Sequence, residues 1–113
     1  MKYTVFMLLT ATPAWLSLTR EQRNNFVEST LGPIMAKYEG RVQVRFYDAE
    51  AFSARCSDIA TFEVDDLKDH YFLMEELRDT AMFAQPYFQV NEIIPSIENG
   101  FATFEEEAYN KQA

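Results

Sequence analysis

The sequence predicts an α+β fold in which two helices cover one face of a four-stranded antiparallel sheet, and three observations carry that prediction. Residues 2–12 alternate, with Tyr3, Val5, Met7 and Leu9 on one side and Thr4, Phe6, Leu8 and Thr10 on the other. Two stretches, one after Thr19 and one after Asp66, repeat apolar residues at three- and four-residue steps, the spacing of a helix with one buried face. A closing stretch from Pro86 to Phe101, PYFQVNEIIPSIENGF, gathers aromatic and β-branched residues between Pro86 and Pro95, as a strand would.

Strand one has one wholly apolar face, which suits a central position. Lys2 ahead of the apolar run Val5 to Leu9, with the small residues Ala11 and Ala14, faintly resembles an export signal. The run is short, and its removal would delete the best strand in the chain, so we read it as a strand. Thr12-Pro13 ends it, and a connection from Ala14 to Leu18 carries the only tryptophan, Trp15. Thr19 and Gln22 form a capping-box pattern that satisfies two backbone donors and starts a helix. Val27, Leu31, Ile34 or Met35, and Tyr38 form its buried stripe. Gly32-Pro33 falls inside that run, where proline removes a helical hydrogen bond and collides with the preceding turn, so a kink or short break is expected.

Gly40 closes the helix, and strand two runs from Arg41 to about Glu50 with Val42, Val44 and Phe46 opposite Gln43, Arg45 and Tyr47. Residues 51–55 make the turn of a hairpin. Strand three, from Cys56 to Val64, sets Ala60, Phe62 and Val64 against Ile59, Thr61 and Glu63. Asp65 and Asp66 are N-cap candidates for the second helix, whose buried face is predicted as Leu67, His70, Tyr71, Met74, Leu77 and Ala81, with Phe72 opposite. Asn99-Gly100 begins a tail whose Glu105, Glu106, Glu107 and Lys111 suit a short helix. The order β-α-β-β-α-β within one domain spanning 1–113, with 98–113 as a C-terminal helical tail, is the split βαβ or ferredoxin-like arrangement. The sheet face away from the helices would carry Arg45, Tyr47, Glu63, Tyr87, Gln89 and Asn91 beside Phe6, Leu8 and Ile59. That mixture fits a second copy packed against it, a two-fold dimer.

Composition narrows the function. A net charge of −8 with only ten Lys and Arg argues against nucleic acid and against anionic membranes as partners. No apolar run approaches a membrane span. The lone Cys56 cannot form an internal disulfide, which points to a reducing cytoplasm.

Three segments, KYTVFMLL at the start, FEVDDL with the following EELRDT, and PYFQVNEIIPSIENGF, give a chain that resembles the darcynin family, small bacterial proteins associated with the dimeric α/β-barrel superfamily. The resemblance implies a homodimer whose two sheets face each other, each protomer holding a small molecule between sheet and helices. It brings no catalytic residues to carry over. The wider superfamily includes heme-binding enzymes and cofactor-free monooxygenases or isomerases acting on aromatic and polyketide-like compounds, a breadth that selects no single activity.

The residues themselves offer one catalytic constellation. His70 lies on the apolar face of helix two, and strict alternation sends Asp48 and Glu92 to the same layer. Burial raises a carboxyl pKa while a nearby carboxylate favours imidazolium, so such a trio could move a proton near neutral pH. Trp15, Tyr3 and Tyr71 would wall a ring-shaped ligand. The plainer reading makes His70 a core residue hydrogen-bonded to a neighbour, and a bulge would turn Asp48 or Glu92 to solvent. Arg78 would then pair with one of the carboxylates.

With one His and no Cys-x-x-Cys, a metal site is not expected, and heme would need His70 as axial ligand with no motif behind it. Cys56 lacks an evident base, and no glycine-rich phosphate loop is present, so no cofactor is expected. Two functions compete. One is a cytoplasmic homodimer binding a small apolar molecule, with cofactor-independent monooxygenase or isomerase chemistry assisted by His70. The other is a non-catalytic binding or interaction module whose cleft is filled by Phe, Tyr and Met.

Overall fold

The computed structural model describes residues 1–109. Four strands, β1 (Tyr3–Ala11), β2 (Val42–Asp48), β3 (Asp58–Val64) and β4 (Phe88–Ile97), form an antiparallel sheet in the order β2-β3-β1-β4. Both edges are thus strands reached by crossovers, and β1 is central, as its alternation predicts. The helices are α1 (Pro13–Leu16), α2 (Arg20–Phe26), α3 (Gly32–Lys37), α4 (Leu67–Arg78), α5 (Ala81–Ala84) and α6 (Gly100–Ala108). The core lies where Val5, Met7 and Leu9 of β1 and Ala60, Phe62 and Val64 of β3 meet Leu73 and Leu77 of α4.

The capping box forms as the sequence predicts: Gln22 N–H donates to Thr19 Oγ1 at 3.1 Å, and Thr19 N–H donates to Gln22 Oε1 at 2.9 Å. Between α2 and α3 the helix does not break at Gly32-Pro33. It widens into one π turn over Val27–Leu31, in which Gly32 N–H reaches Val27 O five residues back. The wider turn makes room for the Pro33 ring and for its missing donor. Gly40, at φ +85°, takes the left-handed conformation that turns the chain into β2. Glu76 of α4 ties that helix to the end of α3, accepting from Lys37 Nζ at 2.6 Å and from Tyr38 OH at 2.5 Å. These donors hold its carboxyl below the usual carboxylate range and, in return, push the Tyr38 phenol up.

Four expectations are corrected. The buried stripe of α4 runs through His70, Leu73 and Leu77, so Leu67 and Tyr71 are exposed, and the helix ends at Arg78, with Ala81 in the separate α5. Leu73 and Leu77 pack into the core with the sheet, and Leu67 and Tyr71 fall outside that stripe. Pro95 does not end the last strand. It sits inside β4 opposite Val5, tolerated because β4 is an edge strand with no neighbour awaiting its N–H. Tyr87 precedes β4 and packs on Trp15 and Phe26 on the helix side. The pairing of β1 with β4 shifts between Leu8 and Leu9, which leaves Asn91 as the extra residue of a bulge. The predicted C-terminal helix is present as α6, while Lys111 lies outside the described residues.

Candidate functional site

The chemistry gathers at the end of the sheet where β1 runs into α1 and β2 meets β3. Trp15, set by the Thr12 N-cap of α1, lies with its ring 5.1 Å from Phe88, 5.3 Å from Tyr87 and 6.0 Å from Phe26. Beneath it an apolar cleft of about 190 Å³ opens between the sheet and the helices. Leu9, Phe46 and Phe88 form its floor, Val27 and Leu31 of the π turn one wall, and Met82 of α5 another. Val27 and Leu31 of the π turn thus face this space. One carboxylate, Asp58, reaches the cleft.

Asp58 also borders a second, more polar cavity of about 320 Å³ that shares Trp15 and adds Arg23, Asp48, Glu50 and Ser57. Register explains the gathering, since Asp58 lies opposite both Leu9 and Asp48. Oxygens of Asp48, Glu50 and Asp58 all lie within 4.8 Å of one another. Burial raises the Asp58 carboxyl pKa, the Ser57 hydroxyl donating to it at 2.7 Å lowers it, and the charges of Asp48 and Glu50 raise it further. The net direction is upward. Such a group accepts a proton closer to neutrality than a free aspartate does. Three carboxylates at this spacing also have the oxygen chemistry of a hard divalent cation.

The trio of His70, Asp48 and Glu92 does not come together. His70 packs at 4.9 Å on Phe62, and Phe62 is four residues up β3 from Asp58, so roughly 13 Å separates the imidazole's neighbourhood from the carboxylates at ~3.3 Å per residue. Its Nδ1 is buried with no hydrogen-bond partner among the described residues, and burial lowers its pKa. His70 lines neither cavity. The Asn91 bulge turns Glu92 to the open face, opposite Leu8, where it pairs with Arg55. Asn91 fixes that bulge by donating to Thr10 Oγ1 at 2.6 Å and to Arg55 O at 2.9 Å. Arg78 pairs with Glu75 instead of Asp48 or Glu92.

Of the ligand walls, Trp15 is in place, whereas Tyr3 lies at the other end of β1 and Tyr71 is exposed on α4 beside Phe72. Sequence reasoning missed Asp58 and Glu50. The signal for Asp58 was present, because the alternation of Ala60, Phe62 and Val64 extends to residue 58 on the same face.

Residues 1–112 match the family described as "Darcynin, domain of unknown function". The chain belongs to the darcynin family. It is 47% identical over 90 residues to Darcynin 1 of Acinetobacter baumannii, covering 80% of this chain and 99% of that one. It is 37% identical over 99 residues to a darcynin homolog of Granulibacter bethesdensis, covering 88% of this chain and 79% of that one. Among solved structures, a variant of chlorite dismutase from Candidatus Nitrospira defluvii superposes with a TM-score of 0.70 at 16% identity, over 99% of this chain and 48% of that one. The same enzyme in complex with imidazole gives 0.71 at 16% identity, over 97% and 46%. This darcynin-family chain thus spans about half the length of those structures, and the likeness is one of fold.

Proposed function

We propose that the protein is a homodimer that binds a small aromatic or apolar molecule in the cleft under Trp15. The observation that carries the reading is the cleft itself, about 190 Å³ of space walled by Leu9, Phe46, Phe88, Val27, Leu31 and Met82. A dry cavity of ~150 Å³ accepts a benzene ring, so the volume suits one ring with a small substituent. The polar cavity beyond Trp15 would take a polar end group. A cleft left open supports binding over an interaction module filled by its own side chains. The sheet face opposite the helices supports the dimer, since Phe6, Tyr47 and Ile94 stand exposed there. A buried free Cys56 fits the reducing compartment expected from the sequence.

A second reading is favoured by Asp58. A carboxylate with a raised pKa borders both cavities and in this reading would take a proton from a bound carbon or hydroxyl acid, the isomerase-type chemistry expected of His70. Asp58 is the base in this reading.

Trp15 is the only tryptophan, so its fluorescence reports on the cleft directly. Phenol, indole and benzyl alcohol are the first probes. Saturable quenching is expected, with a stabilisation of about 1.4 kcal/mol at tenfold excess over Kd. Val27→Phe fills the cleft from its exposed rim and should abolish both signals while the protein stays folded. Equal responses in Val27→Phe and the parent, or no response to any of the probes up to their solubility limits, would remove the basis of the reading.

A further inference from the structure

We infer that α6 is an arm that packs onto the β4 edge of a second copy of this chain. The helix has nine residues, and its aromatic side chains are bare: Phe101 is 74% exposed, Phe104 54%, and Tyr109 just beyond it 66%. An isolated helix shorter than ~12–15 residues is marginal in water, so α6 needs a surface to lie on. Among the described residues of its own protomer, nothing covers these side chains. The radius of gyration is 16.9 Å, against roughly 13 Å for a compact chain of this length, and the molecule extends 61 Å along its longest axis.

A matching surface stands bare on the same chain. The bulge at Asn91 places Val90, Ile93 and Ile97 on the helix side of β4, opposite Leu9, Met7 and Tyr3, at the edge that the helices leave open. They are 37%, 50% and 47% exposed. Donor arm and acceptor strip are thus both apolar and both uncovered among the described residues of one protomer. Two copies related by a two-fold axis satisfy both at once, each arm on the other's strip, which is the self-complementary pairing of an isologous interface. At about 200 Å² for a fully exposed large side chain, these six residues offer roughly 600 Å² of apolar surface per protomer, near the ~800 Å² per partner of a stable interface. Phe6, Tyr47 and Ile94 on the open face offer less than half of that. The inference rests on the dimer proposed above but assigns it a different contact.

Ile93 and Ile94 are neighbours that point to opposite faces, which makes the test clean. Amide exchange of residues 100–108 is measured from sub-micromolar to several hundred micromolar protein, alongside the dimer dissociation constant by sedimentation. Protection of α6 should rise with concentration in step with dimer formation. Phe104→Glu and Ile93→Glu should each weaken the dimer at least tenfold and erase the α6 protection, while far-UV circular dichroism keeps the sheet signal. An α6 exchange rate independent of concentration overturns the inference. So does a dimer broken by Ile94→Glu or Tyr47→Glu but untouched by Phe104→Glu and Ile93→Glu, and that result leaves the sheet-to-sheet dimer standing. A parent chain that stays monomeric overturns both.

Discussion

Asp58→Asn should stabilise the protein at neutral pH. The carboxylate oxygens of Asp48, Glu50 and Asp58 lie within 4.8 Å of one another, so the substitution removes two like-charge contacts. Each is worth about 0.9 kcal/mol in a water-like dielectric at that distance. Screening at physiological salt, with a Debye length of about 8 Å, leaves a little over half, so the gain is about 1 kcal/mol there and nearly double at low salt. The amide oxygen still accepts from Ser57, so the 2.7 Å hydrogen bond survives. Because burial first, and the neighbouring charges after it, raise the folded-state pKa, the native state binds the extra proton. The parent's stability contribution from this group is complete below the unfolded pKa of about 3.9 and is lost as pH rises through the folded value. Parent and variant should therefore converge at acid pH and separate toward neutrality. Urea unfolding followed by circular dichroism, at pH 4 and 7, in 0.02 and 0.5 M salt with EDTA, reads all of this, and the melting temperature should rise by about 4 °C at pH 7. A variant less stable than the parent at pH 7 and low salt, or a gain indifferent to salt, would refute the reasoning.

His70 predicts the opposite slope. Burial lowers its folded pKa, so its contribution to stability is present above the unfolded value of about 6.5 and is lost as pH falls below it. In His70→Phe that segment of the pH–stability curve should flatten, and an unchanged curve would show that the imidazole is not held neutral by the core. Thr19→Ala should cost about 1 kcal/mol, because it breaks one half of the capping box, and Gln22→Ala on the same background should add little. Additive losses in chemical denaturation would mean that the two hydrogen bonds act independently.

The features visible in the sequence are those set by nearby residues. Thr19 and Gln22 are three apart, Asp66 caps α4 by accepting from Lys68 N–H at 2.9 Å, and the alternation of β1 and β3 carries directly into their register. The features that escaped are set by pairs distant in the chain. Strict alternation places Glu92 with Phe88 and Val90, and nothing local contradicts it. The bulge that reverses it is held by Asn91 reaching Thr10, 81 positions away, and the carbonyl of Arg55, 36 away. Tyr71 failed for a related reason, since helical spacing defines a stripe but not which side chains in it the sheet covers.

The same logic explains why the carboxylates of the site were only half legible. Asp48 and Asp58 face each other because the hairpin pairs them directly, and a slip of one residue would send either to the other face. Asp48 alone looks like a strand-end residue bound for solvent, and Asp58 alone looks like one more polar residue near the start of a strand. Their meaning lies in the register, which the segment between β2 and β3 sets: Ala49 N–H donates to Ser57 O at 2.8 Å, extending the ladder past both carboxylates. That extension holds Glu50 beside them and aims Ser57 at Asp58. The tip of this loop, residues 50–56, therefore decides the charge at the mouth of the cleft without touching its apolar walls. The proposed binding of an apolar ring and the proton affinity of Asp58 are consequently separable by mutation, the first through Val27 and the second through Asp48 and Glu50.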